Sequence, residues 1–216
     1  MKKIIEKSLK TAISYSGYRS LVKNLLIKGK STGTEQSEDL TNYSMLNDRR
    51  MKRLDKTIKI SEETIQEFQK VKRPQTWLVL TEGWCGDAAQ SLPILNKIAS
   101  DTANIDLKIV LRDENLDLMD LFLTNGGRSI PKLIVLDKDN NVLDFWGPRP
   151  TIATKMVTDY KEKNGILDPQ FKQDLQVWYN KDKGKSVQKD FINLFAKFSV
   201  QFIKNRKLIF CLRFFF

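Results

Sequence analysis

Cys85 is the side chain of this sequence best suited to covalent chemistry, because it lies in a short segment, Gly83-Trp84-Cys85-Gly86-Asp87-Ala88, between a predicted strand and a predicted helix. A sulfur at the first turn of a helix lies near free backbone amides and the positive end of the helix dipole, which favour the nucleophilic thiolate. Asp87 places a carboxylate beside it, and a nearby negative charge raises the pKa of a thiol. The sequence does not decide between these effects, and an unreactive cysteine that fills apolar space remains an alternative.

The rest of the composition excludes most other kinds of catalytic centre. The 216 residues include no histidine and two cysteines, Cys85 and Cys211. One such chain cannot form a histidine-activated nucleophile, an imidazole-ligated metal site or a four-thiolate zinc site. We therefore expect no metal and no resident cofactor. The start of the chain does not resemble a signal peptide, and no window reaches the ~20 apolar residues of a membrane span. A cytoplasmic protein with reduced thiols is the default expectation.

The net charge of +11 is unevenly distributed along the chain. Residues 1–60 have a net charge of +8, residues 61–185 of −2, and residues 186–216 of +5. A contact with nucleic acid or an anionic membrane would therefore depend on the two flanks alone, and we rank it below the other interpretations. The basic run Arg49, Arg50, Lys52 and Arg53 is interpreted as a solvated helix face.

Apolar spacing predicts the elements that must position Cys85. Strands are predicted at 77–80, 105–111, 133–136 and 142–146, and helices lie between the first three and on both sides of the set. A short helix is predicted over 116–123, another begins with Thr151 as its cap, and Asp168-Pro169 opens the next. Alternating strands and helices imply a parallel pair of strands, and the last two strands form a hairpin. The expected fold is an α/β fold with a small mixed sheet covered by helices on both faces.

Three motifs in this order resemble the thioredoxin family. They are the Trp84–Ala88 turn, Pro93 eight residues after the cysteine, and Ser129-Ile130-Pro131 directly before the third strand. The resemblance covers about residues 61–165 and is to a bacterial, single-cysteine branch with a WCGDA turn in place of WCxxC. It implies a thioredoxin-like mixed sheet, with a basic helical extension at residues 1–60, C-terminal helices at 166–204 and a phenylalanine-rich tail at 205–216.

The resemblance also implies a role for each residue of the motifs. Cys85 aligns with the attacking cysteine and Trp84 with the aromatic residue beside it, while Gly86 permits a tight entry into the helix. Pro131, cis by analogy, would leave the backbone of Ile130 available to an extended substrate peptide. With Asp87 in the family's proline position beside the sulfur, these are the expected catalytic and substrate-binding residues.

Two departures from the family pattern affect the chemistry. The position of the resolving cysteine is Ala88, and the position of the family's buried aspartate is Val79. A dithiol enzyme releases its product by attack of the second thiol, which this chain lacks nearby. Cys211 is a weak candidate for a distant resolving thiol, since it lies in the phenylalanine-rich tail, where a degenerate terminus explains the composition as well as any function does.

The sequence thus predicts a single-thiol redox protein in which Cys85 forms mixed disulfides with a protein partner or a low-molecular-weight thiol. A second, external thiol would release it. The alternative is a thioredoxin-fold binding module without turnover, which uses the groove at Ile130 and Pro131 to bind a peptide. The sequence leaves the oligomeric state open.

Overall fold

A four-stranded mixed sheet lies at the centre of the computed structural model, which describes residues 1–196. The strands are β1 (Gln75–Thr81), β2 (Ile105–Leu111), β3 (Lys132–Asp137) and β4 (Val142–Trp146), in the spatial order β2-β1-β3-β4. Strands β1 and β2 are parallel, while β1 with β3 and β3 with β4 are antiparallel. The predicted parallel pair, the hairpin and the thioredoxin-like α/β fold are confirmed.

Helices cover both faces of this sheet. They are α1 (Lys2–Thr11), α2 (Tyr15–Ile27), α3 (Glu38–Thr57), α4 (Glu62–Phe68), α5 (Gly86–Ser100), α6 (Leu116–Met119), α7 (Thr151–Asn164) and α8 (Pro169–Asp182), followed by a helix at residues 185–196 that we call α9. None of the helices within residues 1–196 is long and apolar enough to cross a bilayer.

Two local predictions about helices are wrong. Helix α6 ends at Met119 instead of near residue 123, because the amides of Leu121 and Phe122 bond to carbonyls three residues back and the chain then turns at Asn125 and Gly126, both at positive φ. Thr151 is the first residue of α7 and not its cap. Its backbone N–H donates instead to Oδ2 of Asp190 on α9, at 2.8 Å.

The three N-terminal helices pack into the main core. Ile5, Tyr18 and Met51 are each 1% exposed and belong to the same buried cluster as the strands. Between α1 and α2, Ile13 exchanges two backbone hydrogen bonds with Ile109 and adds a bridge to the edge of the sheet at β2. Residues 1–60 therefore contribute directly to the core on which the strand–turn–helix segment around Cys85 is built.

The C-terminal helices divide between two cores. Helices α7 and α8 form a small separate cluster, made of Ala153, Val157, Phe171, Leu175 and Tyr179. Helix α9 returns to the main core, where Phe191 and Phe195 pack against Trp77. The phenylalanine-rich tail predicted at 205–216, with Cys211, lies outside the described residues.

Candidate active site

Cys85 caps the N-terminus of α5, as the strand–turn–helix pattern predicts. Its φ of −78° and ψ of 112° are extended, and its Sγ accepts a hydrogen bond from the backbone N–H of Ala88 at 3.4 Å. On the other side, Sγ lies 3.3 Å from the carbonyl oxygen of Ile130, to which the thiol donates. The residue is 7% exposed. The hydrogen bond from the Ala88 N–H suits a thiolate, whereas the hydrogen bond to the Ile130 carbonyl requires the protonated thiol.

Two loops near Cys85 each contain a cis peptide bond, Ile130–Pro131 before β3 and Gly147–Pro148 after β4. The two bonds are packed together, because a Cβ on Gly147 would stand 2.1 Å from the carbonyl oxygen of Pro131. Gly147 also has a φ of +118°, so glycine is required there for both space and conformation. The backbone N–H of Ile130 makes no hydrogen bond within residues 1–196.

The turn before Cys85 is fixed by the N-terminal helices and the loop between them. The backbone N–H of Gly83 donates to Oγ1 of Thr32 at 2.6 Å, and the carbonyl of Gly83 accepts from Nδ2 of Asn47 at 3.0 Å. All three residues are buried. Both backbone groups of Gly83 are thus bound by side chains from outside the predicted thioredoxin-like segment.

A buried carboxylate also lies at the end of β1. Glu82 is fully buried, and its Oε1 accepts from the backbone N–H of Asp113 at 3.0 Å. Burial raises the pKa of Glu82. The side chain of Glu82 thus joins the end of β1 to the turn after β2. The backbone carbonyl of Glu82 accepts a hydrogen bond from the backbone N–H of Cys85. Val79, at the position of the family's buried aspartate, is fully buried and apolar.

The pKa of the Cys85 thiol is raised to about 12, first by burial and then by the charge of Asp87. The backbone amides of Ala88 and Asp87, and more weakly the charge of Arg149, act in the opposite direction. The competition that the sequence left open is therefore decided by burial together with Asp87. Cys85 is a protonated thiol at neutral pH.

Asp87 is itself buried and paired. The hydroxyl of Tyr179 on α8 donates to Oδ1 at 2.8 Å, and Nε of Arg149 forms an ion pair with Oδ2 at 2.8 Å. Burial nevertheless raises the pKa of Asp87, since it outweighs the opposing effects of Arg149 and Tyr179. Both carboxylate oxygens of Asp87 are engaged inside the protein.

Cys85 lies in the wall of a groove of about 610 Å³. Five of the predicted site residues line it, namely Trp84, Cys85, Gly86, Asp87 and Ile130. Pro131 is not among the lining residues and lies behind them, against Gly147. The space next to Gly86 is filled from two sides, because a Cβ there would stand 3.1 Å from Nε2 of Gln176 and 3.7 Å from Nη1 of Arg50.

Several residues of the groove were not predicted from the sequence. Arg50 is half-buried and lines the groove, so the interpretation of the whole basic run as a solvated face is wrong for this residue. Arg149 follows β4, and Gln176 comes from α8. Tyr179, also on α8, does not line the groove but donates a hydrogen bond to Asp87. The sequence offered one signal for these residues: Arg149 comes just after a strand predicted to pair with the strand that follows Pro131, which places it near the site. Residues 1–196 contain no cluster of three or more side chains that could bind a metal ion.

Two solved structures are similar to this chain. One is a protein of unknown function from Pseudomonas aeruginosa, with 20% identity and a TM-score of 0.54; the match covers 72% of this chain and 85% of that one. The other is an HIV epitope-scaffold, with 18% identity and a TM-score of 0.51; the match covers 86% of this chain and 99% of that one. Both support the fold alone. No curated protein matches the sequence. The family model described as thioredoxin matches residues 33–161, more than half of the chain, and the chain therefore belongs to the thioredoxin family.

Proposed function

We propose that this protein is a thiol redox protein that works through one active-site cysteine, Cys85. The observation that carries the proposal is the position of its sulfur, at the N-terminus of α5 and 3.3 Å from the carbonyl of Ile130, in the wall of an open groove. This position combines the amides of a helix terminus with space for a partner molecule.

The proposed reaction begins with loss of the Cys85 proton to solvent. The thiolate attacks one sulfur of a disulfide, a new bond forms between that sulfur and Sγ, and the old disulfide bond breaks with the other half leaving as a thiolate. An external thiolate then attacks the partner's sulfur in the mixed disulfide, a disulfide forms between these two, and Cys85 leaves as a thiolate. A second external thiolate attacks that new disulfide and releases the partner's sulfur as a thiolate. Two electrons thus pass from two external thiols, which end as a disulfide, to the original disulfide, and no cofactor is needed.

The described residues offer no second thiol, because alanine occupies the local resolving position. Ala88 is 1% exposed, and its N–H bonds to the sulfur of Cys85. Cys85 is the one cysteine within residues 1–196. A low-molecular-weight thiol or a protein thiol in a reducing compartment such as the cytoplasm would serve, and Cys211 lies outside the described residues.

A raised pKa slows this chemistry without preventing it. Relative to an ordinary thiol of pKa ~8.5, a pKa of about 12 lowers the thiolate fraction at neutral pH by roughly 3,000-fold. The more basic thiolate is intrinsically more nucleophilic, which restores roughly 30-fold. The net rate is therefore about 100-fold below that of an ordinary thiol. Such a thiol suits slow, selective exchange with a bound partner.

The second candidate function is a binding module without turnover. The burial of Cys85 and its raised pKa favour it, since a buried, protonated cysteine reacts slowly. The free N–H of Ile130 within the described chain would then pair with an extended peptide in the groove.

Capture of mixed disulfides from lysate distinguishes the two functions. In a Cys211→Ser background the redox proposal predicts disulfide-linked adducts that are released by dithiothreitol and are absent in the Cys85→Ser variant. Peptide binding alone predicts partners that co-purify equally with both variants and without a covalent bond. Equal non-covalent recovery with no reducible adduct would contradict the redox proposal.

A further inference from the structure

The groove at Cys85 carries a marked excess of positive charge. Its lining includes one carboxylate, that of Asp87, and five cationic side chains, those of Arg50, Arg112, Arg128, Arg149 and Lys172. This concentration contrasts with residues 61–185 as a whole, which have a net charge of −2. The charge is contributed by separate parts of the chain, namely α3, the loops after β2, α6 and β4, and α8.

Three of the five cations are neutralised within the protein. The ion pairs are Arg112 with Asp113 at 2.7 Å, Arg128 with Asp120 at 2.6 Å, and Arg149 with Asp87 at 2.8 Å. Arg112 also lies over the ring of Trp84, with its guanidinium carbon 4.9 Å from the ring centroid. These side chains are held by contacts that the protein itself supplies.

Arg50 differs from them because no carboxylate within residues 1–196 forms an ion pair with it. It is half-buried, and its Nη1 donates to the neutral side chain of Asn47 at 2.8 Å. Burial and the nearby charge of Arg53 lower the pKa of Arg50, so its surroundings disfavour the cation. Lys172, on α8, likewise forms no ion pair with a carboxylate of the described chain.

The unpaired guanidinium lies close to the turn that carries the reactive sulfur, although it comes from a distant part of the chain. Nη1 of Arg50 is 3.7 Å from the point where a Cβ on Gly86 would stand, and Gly86 directly follows Cys85. A partly buried guanidinium without a counter-ion gains most from a ligand that supplies one, and its planar fork suits a carboxylate held by two hydrogen bonds. An anionic group bound here would lie in the groove that Cys85 also lines, beside the residue that follows Cys85.

We propose that Arg50, with Lys172, makes the groove selective for small disulfides that carry a carboxylate close to the sulfur. This inference rests on the proposed redox function and names its substrate class. A groove of about 610 Å³ is of a size that binds small molecules, which usually occupy roughly 300–1,000 Å³. A carboxylate on Arg50 would orient the adjacent disulfide toward Sγ, and the exchange would proceed as described above, with the leaving half released as a thiolate.

The test compares an anionic with a neutral aromatic disulfide. In a Cys211→Ser background, stopped-flow absorbance gives the rate of Cys85 with 5,5′-dithiobis(2-nitrobenzoate), which carries carboxylates, and with uncharged 4,4′-dithiodipyridine. The ratio of the two rates, normalised to the same ratio for the urea-unfolded chain, measures selectivity for the anion. We expect a normalised ratio well above one that falls about tenfold in Arg50→Gln, as for loss of a charged hydrogen bond.

Matched variants separate this local effect from overall charge and from misfolding. Arg49→Gln removes the same charge from an exposed neighbour on α3 and should leave the ratio within about twofold. Arg50→Lys keeps the charge without the fork and should give an intermediate ratio. Lys172→Gln changes an exposed side chain, so it folds even if Arg50→Gln does not, and should lower the ratio about threefold.

The outcomes distinguish failure of the inference from failure of the proposed function. If Cys85 reacts with neither disulfide while the unfolded chain reacts with both, the redox function is wrong. If Cys85 reacts with both but the normalised ratio is near one, or is unchanged in Arg50→Gln and Lys172→Gln, the inference alone is overturned. A disulfide-linked acidic peptide that reacts faster than the small anionic disulfide would replace the small-molecule occupant and also contradict the inference.

Discussion

The N-terminal helices and the α7–α8 pair both reach Cys85, but they act on it through different kinds of contact. Helices α1–α3 share the main core and, through Thr32 and Asn47, bind both backbone groups of Gly83. Helices α7 and α8 have a small core of their own and reach the site through the side chains of Tyr179 and Gln176. The first region therefore fixes the geometry of the turn, while the second contributes to the electrostatics of the sulfur.

The largest expected effect tests whether the two regions differ in their coupling to the fold. Met51→Ala removes a side chain that is 1% exposed in the main core and should lower the free energy of unfolding by about 2–5 kcal/mol. Leu175→Ala, in the small α7–α8 core, should cost less in global unfolding and mainly increase hydrogen exchange in α7 and α8. Denaturant unfolding and amide exchange measure both. Equal global losses would show that the two regions form one cooperative unit.

The pH dependence of stability tests the raised pKa of Cys85. Above pH ~8.5 the unfolded thiol ionises while the folded thiol, with a pKa of about 12, stays protonated, so the folded state binds more protons and stability falls as pH rises. The ionisation of Cys85 should lower the free energy of unfolding by about 1.5–2 kcal/mol between pH 8.5 and 10. The measurement is the difference between wild type and Cys85→Ala across this range. A difference that does not change with pH would contradict the assigned pKa.

A smaller effect is expected from the electrostatic contribution of Asp87. Asp87→Asn removes the charge next to the sulfur, so the pKa of Cys85 should fall and its alkylation by iodoacetamide at pH 7 should accelerate about fivefold to tenfold. Asp174→Asn, an exposed change on α8, is the matched control and should leave the rate unchanged. No acceleration in Asp87→Asn would assign the raised pKa to burial alone.

Much of the fold follows from local patterns in the sequence. Apolar spacing predicted β2 at Ile105–Leu111 and β4 at Val142–Trp146 with the observed bounds. In β2 the alternating residues Ile105, Leu107, Ile109 and Leu111 are all buried. The helix predicted over 116–123 exists but ends earlier than predicted, at Met119. The early end is caused by two backbone hydrogen bonds of turn type, donated by Leu121 and Phe122, which the residue types do not specify.

The site was predicted less completely because its contacts are long-range. The motif at Cys85 was visible, yet nothing in the run from Arg49 to Arg53 shows which side chain faces α5 and which faces solvent. Asp87 is paired with Arg149 and Tyr179, and both lie far from it along the chain. Whether the helix terminus or Asp87 prevails at the sulfur depended on burial, which is a property of the packed structure.

The most direct test of the account is the pH profile of Cys85 alkylation in a Cys211→Ser background. A thiol with a pKa of about 12 predicts that the logarithm of the rate with iodoacetamide rises by about one per pH unit from pH 7 to 10, without a plateau. The folded state should be confirmed by circular dichroism at each pH. A plateau below pH 9 would show that the pKa of Cys85 is no higher than that of an ordinary thiol, and would contradict the claim that burial and Asp87 keep Cys85 protonated.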